Sequence, residues 1–160
     1  MSFICCFHLV NAQRVTYADL KFTLYHSISS TEDYLLQKGF SYGGIDTLGD
    51  FHNTYKFNFT KNTSQDYICI GKKSITNVFY ESSFFSYKQE DYKLFKLNIQ
   101  KAGFKITSTK TFEGSLIYYY KKGNLNLEIW LFRKPDADNT MYKIYLSDTD
   151  LEHDAKKTLN

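Results

Sequence analysis

The sequence predicts an α+β fold in which helices precede an antiparallel sheet, and it predicts this unit twice. The helix end Gln37–Phe40 recurs as Gln100–Phe104, with a similar series of short apolar segments after each copy. Tyrosine and phenylalanine supply fourteen residues each, and aromatic side chains favour strands. We therefore expect two related helix-plus-antiparallel-sheet units that share one sheet, with the helices packed on one face of it.

The chain divides into four predicted segments. The segments are residues 1–12 as a truncated signal peptide, 13–82 as the first helix–sheet unit, 83–147 as the second unit and 148–160 as a polar tail. A single proline and eight glycines leave little composition for a disordered linker between the units.

The amino terminus has the pattern of an export signal. Residues 3–10 form an apolar run that is followed by Asn11 and Ala12, so Val10 and Ala12 occupy the positions of an Ala-x-Ala-like cleavage site. No Lys or Arg follows Met1, which is why the signal is interpreted as truncated. The run is too short to span a bilayer as a helix. We expect export to the periplasm or the medium; the alternative is a cytoplasmic protein with a strand over residues 3–10.

The first unit begins with two helix-start patterns. Thr16–Asp19 matches a capping box and predicts a helix over residues 16–27. Ser30–Asp33 is a second capping box, and it predicts a short helix that ends at Gly39, because glycine adopts the left-handed cap at low cost. Strands are predicted over residues 40–45, 55–60, 67–70 and 75–80.

The second unit repeats this order. Ser86–Gln89 predicts a third capping box, apolar residues follow along one helical face, and Gly103 ends the helix. Strands are predicted over residues 104–107, 116–120, 125–132 and 141–146, with a hairpin turn over 122–124.

One resemblance adds to this picture. The order of helix, Lys-Gly-Phe and strands resembles uncharacterised exported proteins of Bacteroidetes-type bacteria. Its carriers are Ala12-Gln13, Asp33–Leu35 and Gln37–Phe40. The resemblance implies an exported protein with tandem units, and it implies no activity.

The charge pattern does not predict nucleic-acid binding. The net charge is only +3, and the basic residues occur as separated pairs. The pairs are Lys72-Lys73, Lys121-Lys122, Arg133-Lys134 and Lys156-Lys157. Each pair is expected at the end of a helix or strand, where water solvates both side chains.

The chain carries no known catalytic or cofactor-binding motif. Cys69 lies in an apolar segment and is interpreted as a core residue. The acidic loop Asp136–Asn139 lacks the pattern of a calcium loop, so no metal and no cofactor are expected. A small hydrolase would need His52, Asp46 and Asp50 in one cleft. The remaining alternative is a carrier of a small apolar ligand between helices and sheet.

Aromatic side chains are the main candidates for a binding site. Tyr118 and Tyr120 point to one side of a predicted strand, and Trp130 and Phe132 share one side of the next. Aromatic groups on both sides of adjacent strands predict either a sheet covered on both faces or an exposed patch. We predict a non-enzymatic binding module whose partner is a protein, peptide or glycan, with these four residues as its site.

Overall fold

The computed structural model of the protein describes residues 14–48, 52–59, 68–75, 78–133 and 140–157. Within these ranges the chain forms four helices: α1 (Tyr17–Tyr25), α2 (Ile28–Gln37), α3 (Gln89–Lys101) and α4 (Thr149–Lys157). It also forms eight strands: β1 (Ser41–Leu48), β2 (His52–Phe59), β3 (Ile68–Ile75), β4 (Val78–Ser86), β5 (Lys105–Phe112), β6 (Ser115–Lys122), β7 (Leu125–Arg133) and β8 (Thr140–Asp148).

The eight strands of the described ranges form a single sheet in the order β1-β2-β3-β4-β8-β7-β6-β5. Every neighbouring pair is antiparallel. The two strands β4 and β8, which are far apart in the chain, therefore lie next to each other at the centre, and β1 and β5 are the two edges. The α+β class and the antiparallel sheet predicted from the sequence are confirmed.

Helix α1 begins at the predicted capping box. The Thr16 hydroxyl accepts a hydrogen bond from the Asp19 amide, and the Asp19 carboxylate accepts one from the Thr16 amide at 2.7 Å. Leu20 and Leu24, one turn apart, are both buried in the core. The helix predicted over residues 16–27 is confirmed, with Tyr17 and Tyr25 as its ends.

Glycine ends both α2 and α3, as the sequence predicts. Gly39 has φ +81° and Gly103 has φ +88°, a region that residues with a Cβ rarely adopt. In each case the amide of the residue after the glycine donates to a carbonyl of the last helical turn. The N···O distance is 3.0 Å for the Phe40 amide and 3.1 Å for the Phe104 amide. The two helix ends are therefore closed in the same way.

The predicted starts of α2 and α3 are wrong. The N-cap of α2 is Ser27, whose hydroxyl accepts from the Ser30 amide at 3.2 Å. The N-cap of α3 is Lys88, which makes no side-chain cap bond. Ser86 belongs to β4 and donates to Asp91 at 2.7 Å. Several Ser and Thr residues near each start fit the capping pattern, and the position at which the chain leaves the previous element selects among them.

The central strands have one buried side and one half-exposed side. In β8, Ile144 and its alternate neighbours are buried, whereas Tyr145 and its alternate neighbours are half-exposed. β4 shows the same alternation, with Phe84 buried and Ser83 half-exposed. We call the side with Phe84 and Ile144 the core side, and the side with Ser83 and Tyr145 the open side.

Helices α1 and α3 contact residues of the core side. The Ser82 hydroxyl of β4 donates to the Leu20 carbonyl of α1 at 2.8 Å. In α3, the ring of Phe95 packs on Phe84 with centroids 6.0 Å apart. These contacts place the main apolar cluster between the two helices and the centre of the sheet.

Several strands are longer than the sequence predicts; β3, for example, continues past residue 70 to Ile75. β4 continues to Ser86 and β5 continues to Phe112. The added residues are largely Ser, Thr and Lys, which carry no apolar alternation. They join the sheet because their backbone groups pair with β8 and β6.

Lys72 is fully buried, which corrects the expectation that both lysines of the pair 72–73 are solvated. It lies within β3 rather than at a strand end, and its side chain points to the core side. The Nζ atom donates to the carbonyls of Thr23 and of Leu24, the latter at 3.1 Å, in the last turn of α1. Burial lowers the pKa of Lys72 to about 8.

Segment 148–160, predicted as a polar tail, contains α4. Ala155 of this helix is fully buried and packs in a small cluster with Ile75 and Tyr80. The predicted signal peptide over residues 1–12 and the acidic loop 136–139 lie outside the described residues.

Candidate binding site

The open side of the sheet carries two adjoining depressions at the junction of β4 and β8. Their volumes are about 280 Å³ and about 300 Å³. Both are lined by Lys73, Glu81 and Tyr145. The smaller one is also lined by Glu128, Trp130 and Ser147, and the larger one by residues that include His52, Thr54, Lys56, Gly71, Ser83 and Lys143.

The sheet register explains why these residues meet. Across β4 and β8, Glu81 lies opposite Ser147, and Ser83 lies opposite Tyr145. Glu128 of β7 lies opposite Tyr145 in turn. Opposite side chains of antiparallel strands are about 5 Å apart at Cβ. One bound group at this centre can therefore contact three strands at once.

Gly71 forms part of the floor of the larger depression. A Cβ atom at this position would lie 2.5 Å from the Ser83 Oγ atom and 3.5 Å from the Thr54 Cγ2 atom. The small side chains of Gly71 and Ser83 therefore leave a recess between β2 and β8 that larger residues would fill.

Aromatic rings form one wall of the smaller depression. The Trp130 ring stacks on Phe132 with centroids 5.5 Å apart, and it meets Phe112 and Tyr145 edge-on, each at 6.4 Å. The Trp130 Nε1 atom donates to the Glu128 carboxylate at 2.8 Å, which fixes the indole orientation. We call these four rings the open-side aromatic cluster.

Glu81 is an acidic group held in a partly buried setting. Burial raises its pKa, Lys73 acts against this rise, and the carboxylates of Glu128 and Glu152 add to it. The pKa of Tyr145 is also raised, by burial and by the charges of Glu81 and Glu128. Burial at the centre of the site therefore disfavours the charged forms of both Glu81 and Tyr145.

The lysines around the depressions have partners elsewhere. Lys56 forms an ion pair with Asp46. The Nζ atom of Lys143 lies 5.2 Å from the centroid of the Phe132 ring, and that of Lys73 lies 5.6 Å from the Tyr80 ring. These interactions engage the Lys56 and Lys143 ammonium groups, whereas Lys73 also lies opposite Glu81 across β3 and β4.

The structure brings together two of the four residues predicted as a site. Trp130 and Phe132 stack on the open side. Tyr120 is buried in the core cluster, and Tyr118 packs against that cluster with the Lys96 Nζ atom 5.3 Å from its ring. The two tyrosines therefore lie on the core side, because residues of one strand alternate between the sides of a sheet.

The structure describes two of the three residues of the hydrolase alternative, His52 and Asp46. Asp46 pairs with Thr54, two positions along β2 from His52, so these two side chains share one region of the open side. Asp50 lies outside the described residues. Cys69 pairs with Asn58, six positions from His52, which corresponds to about 20 Å along the strand. Cys69 and His52 therefore lie too far apart for a thiol and an imidazole to act as a nucleophile pair.

The described ranges contain no group of three or more His, Cys, Asp or Glu residues that could hold a metal ion. In the same part of the chain, no helix is long and apolar enough to cross a membrane.

Sequence reasoning missed Glu81, Lys73 and Tyr145. The predicted strand ended at Tyr80, so Glu81 was not placed on any face. The stretch Glu81–Ser86 has no polar–apolar alternation, so the local sequence contains no signal that would have extended the strand.

Comparison of the chain with protein-family models, with curated proteins and with solved structures finds no match in any of the three.

Proposed function

We propose that the protein is an exported, non-enzymatic binding module whose open sheet side recognises a protein, peptide or glycan. It is built from two related helix–sheet units whose helices cover the core side. Export follows cleavage before Gln13, as the amino-terminal pattern predicts. The observation that carries the binding proposal is the half-exposed Trp130 beside a depression at the sheet centre.

The sheet order supports the two-unit arrangement. Each half runs β1-β2-β3-β4 or β5-β6-β7-β8, and the halves meet through their last strands. Ser82 and Leu146 pair across this junction. Their separation along the chain equals the separation between Gly39 and Gly103, the glycines that end α2 and α3. The edge strands β1 and β5 each have a register shift two residues from their start. Related halves joined about a pseudo-two-fold axis account for these correspondences.

The chemistry of the open side supports binding rather than catalysis. Trp and Tyr are enriched where proteins bind partners, because each offers a large rigid surface with one polar atom. Trp130 and Tyr145 meet here beside Glu81, Ser83 and Ser147, which supply hydrogen-bonding groups. A surface of this kind can hold a ligand in a defined orientation without a reactive group.

Trp130→Ala is expected to weaken binding by about 30-fold or more, because truncating a central interface tryptophan commonly costs about 2 kcal/mol. Wild-type protein is applied to arrays of peptides and of glycans, and the affinity of each positive probe is then measured by calorimetry. Since Trp130 is the single tryptophan of the chain, the change in indole emission reports directly whether that probe binds at this surface.

Leu97→Ala is the matched control, because Leu97 is a half-exposed apolar residue of α3, remote from the open side. It is expected to bind like the wild type, and thermal unfolding of both variants shows that they are folded. Binding that survives Trp130→Ala unchanged, or arrays without any positive probe, would contradict the proposal.

A further inference from the structure

Resting on the proposed binding function, we propose that the smaller depression, around Glu81, binds an organic cation: an alkylammonium or guanidinium group. A lysine or arginine side chain of a partner protein presents this chemistry, and so does a small amine. The inference specifies the chemical group that the open side recognises as an exposed basic group, whether of a partner protein or of a small amine.

The walls of this depression suit a cation. Trp130 and Tyr145 both line it, and their ring centroids are 6.4 Å apart. Aromatic rings attract an ammonium or guanidinium group through the negative potential of their faces, and tryptophan does so best. The Trp130–Glu128 hydrogen bond of 2.8 Å holds the indole in place, so the ring does not have to be ordered on binding.

The floor of the depression supplies the counter-charge. Glu81 is half-buried. Lys73 lies opposite it across β3 and β4, and the Lys73 charge lowers the Glu81 pKa. Among the hydrogen bonds and ion pairs of the described residues, none involves the Glu81 carboxylate. Burial raises the pKa of Glu81, and the charges of the neighbouring Glu128 and Glu152 carboxylates raise it further. A bound cation would relieve both effects by forming a charge-assisted hydrogen bond.

An anion fits the same depression less well. Glu81 and Glu128 outnumber Lys73 among its charged lining residues. The two lysines that line only the larger depression, Lys56 and Lys143, are engaged by Asp46 and by the Phe132 ring. An incoming carboxylate or phosphate would meet two carboxylates and only one lysine, so repulsion would exceed attraction.

The test follows Trp130 fluorescence and calorimetric heats during titration with defined probes at constant ionic strength. The small probes are n-butylammonium and ethylguanidinium, with acetate and inorganic phosphate as anions. The capped tripeptides Gly-Lys-Gly and Gly-Arg-Gly stand for a partner's side chain, and Gly-Gln-Gly is their neutral control. Binding of the basic tripeptides alone points to a protein partner, whereas equal binding of the small probes points to a small amine; either result supports the cation site.

Glu81→Gln is expected to reduce the affinity for the basic probes about tenfold or more, because it removes the charge and keeps the shape of the side chain. Glu113→Gln, an exposed change in the turn between β5 and β6, is expected to leave affinity unchanged. Basic probes that do not bind, anions that bind instead, or Glu81→Gln with wild-type affinity would overturn the inference.

The two proposals fail in different ways. Trp130-dependent binding of a peptide or glycan that has no basic group, without binding of amines, would refute the cation site and leave the binding module intact. If Trp130→Ala alters the binding of no probe on the arrays, the binding module is refuted as well.

Discussion

Asp19→Ala is expected to lower the free energy of unfolding by about 3 kcal/mol, since it removes a buried charge from a connected set of hydrogen bonds. The Asp19 carboxylate accepts hydrogen bonds from the amide and the hydroxyl of Thr16, at 2.7 and 2.8 Å. It also accepts from the Tyr34 hydroxyl and pairs with the Lys38 ammonium of α2. The substitution therefore removes the carboxylate half of the capping box and the polar link between α1 and α2 together. Urea unfolding followed by circular dichroism measures the change.

Asp33→Ala provides the matched control, because Asp33 is an exposed residue of α2. It is expected to change stability by less than about 0.5 kcal/mol. A loss for Asp19→Ala as small as that of the control would contradict the importance of this hydrogen-bonded set.

The same residue predicts a dependence on acid. Burial alone would raise the pKa of Asp19, but hydrogen bonds from Lys38, Tyr34 and Thr16 outweigh burial and hold the pKa below its usual range. A lowered pKa in the folded state means that the stabilisation is complete above the unfolded value of about 4 and is lost as the pH falls through the folded value. Asp19→Asn is expected to lack this part of the acid-induced loss of stability.

Raising the pH from 8 to about 9.5 is expected to increase the contribution of Lys72 to the free energy of unfolding by about 1.5 kcal/mol. Its pKa is about 8 in the folded protein because the side chain is buried, and it returns to about 10.4 in the unfolded chain. Between these values the unfolded state binds more protons than the folded state, so stability rises with pH. Tyrosines such as Tyr92, whose pKa burial raises, act in the opposite direction as the pH approaches their unfolded value of about 10, because they ionise more readily when unfolded.

Lys72→Met tests the origin of this rise, because methionine keeps the length and apolar stem of the side chain without its titrating group. The variant is expected to show no increase in stability between pH 8 and 9.5. Lys93→Met, at an exposed position of α3, is expected to keep the wild-type increase. Urea unfolding at several pH values provides the measurement. An increase that persists in Lys72→Met would show that another group is responsible.

Sequence reasoning succeeded where a residue acts through its own neighbours in the chain. The capping box at Thr16 and Asp19 and the glycine stops at Gly39 and Gly103 need only local backbone geometry. The same holds for the turn at Gly123, whose φ is +56°. Each of these features is specified within four or five residues of sequence.

The candidate site was only half predicted, because its parts come from separate strands. Alternation within β7 placed Trp130 and Phe132 on one side of the sheet, and the structure agrees. Alternation within β6 placed Tyr118 and Tyr120 on a common side of that strand. It does not tell whether this is the side of the sheet on which Trp130 and Phe132 lie. The register between β6 and β7 decides this, and it puts the two pairs on opposite sides.

By itself the sequence determined the class of the fold, the helix ends and the run of strands along the chain, because these depend on short-range sterics and on the period of apolar residues. Only the tertiary structure decided that β4 pairs with β8, that Lys72 reaches the end of α1, and that Glu81 lies beside Tyr145. These contacts join residues distant in the chain, and their free energy depends on burial and charge that exist only once the sheet has closed around its centre.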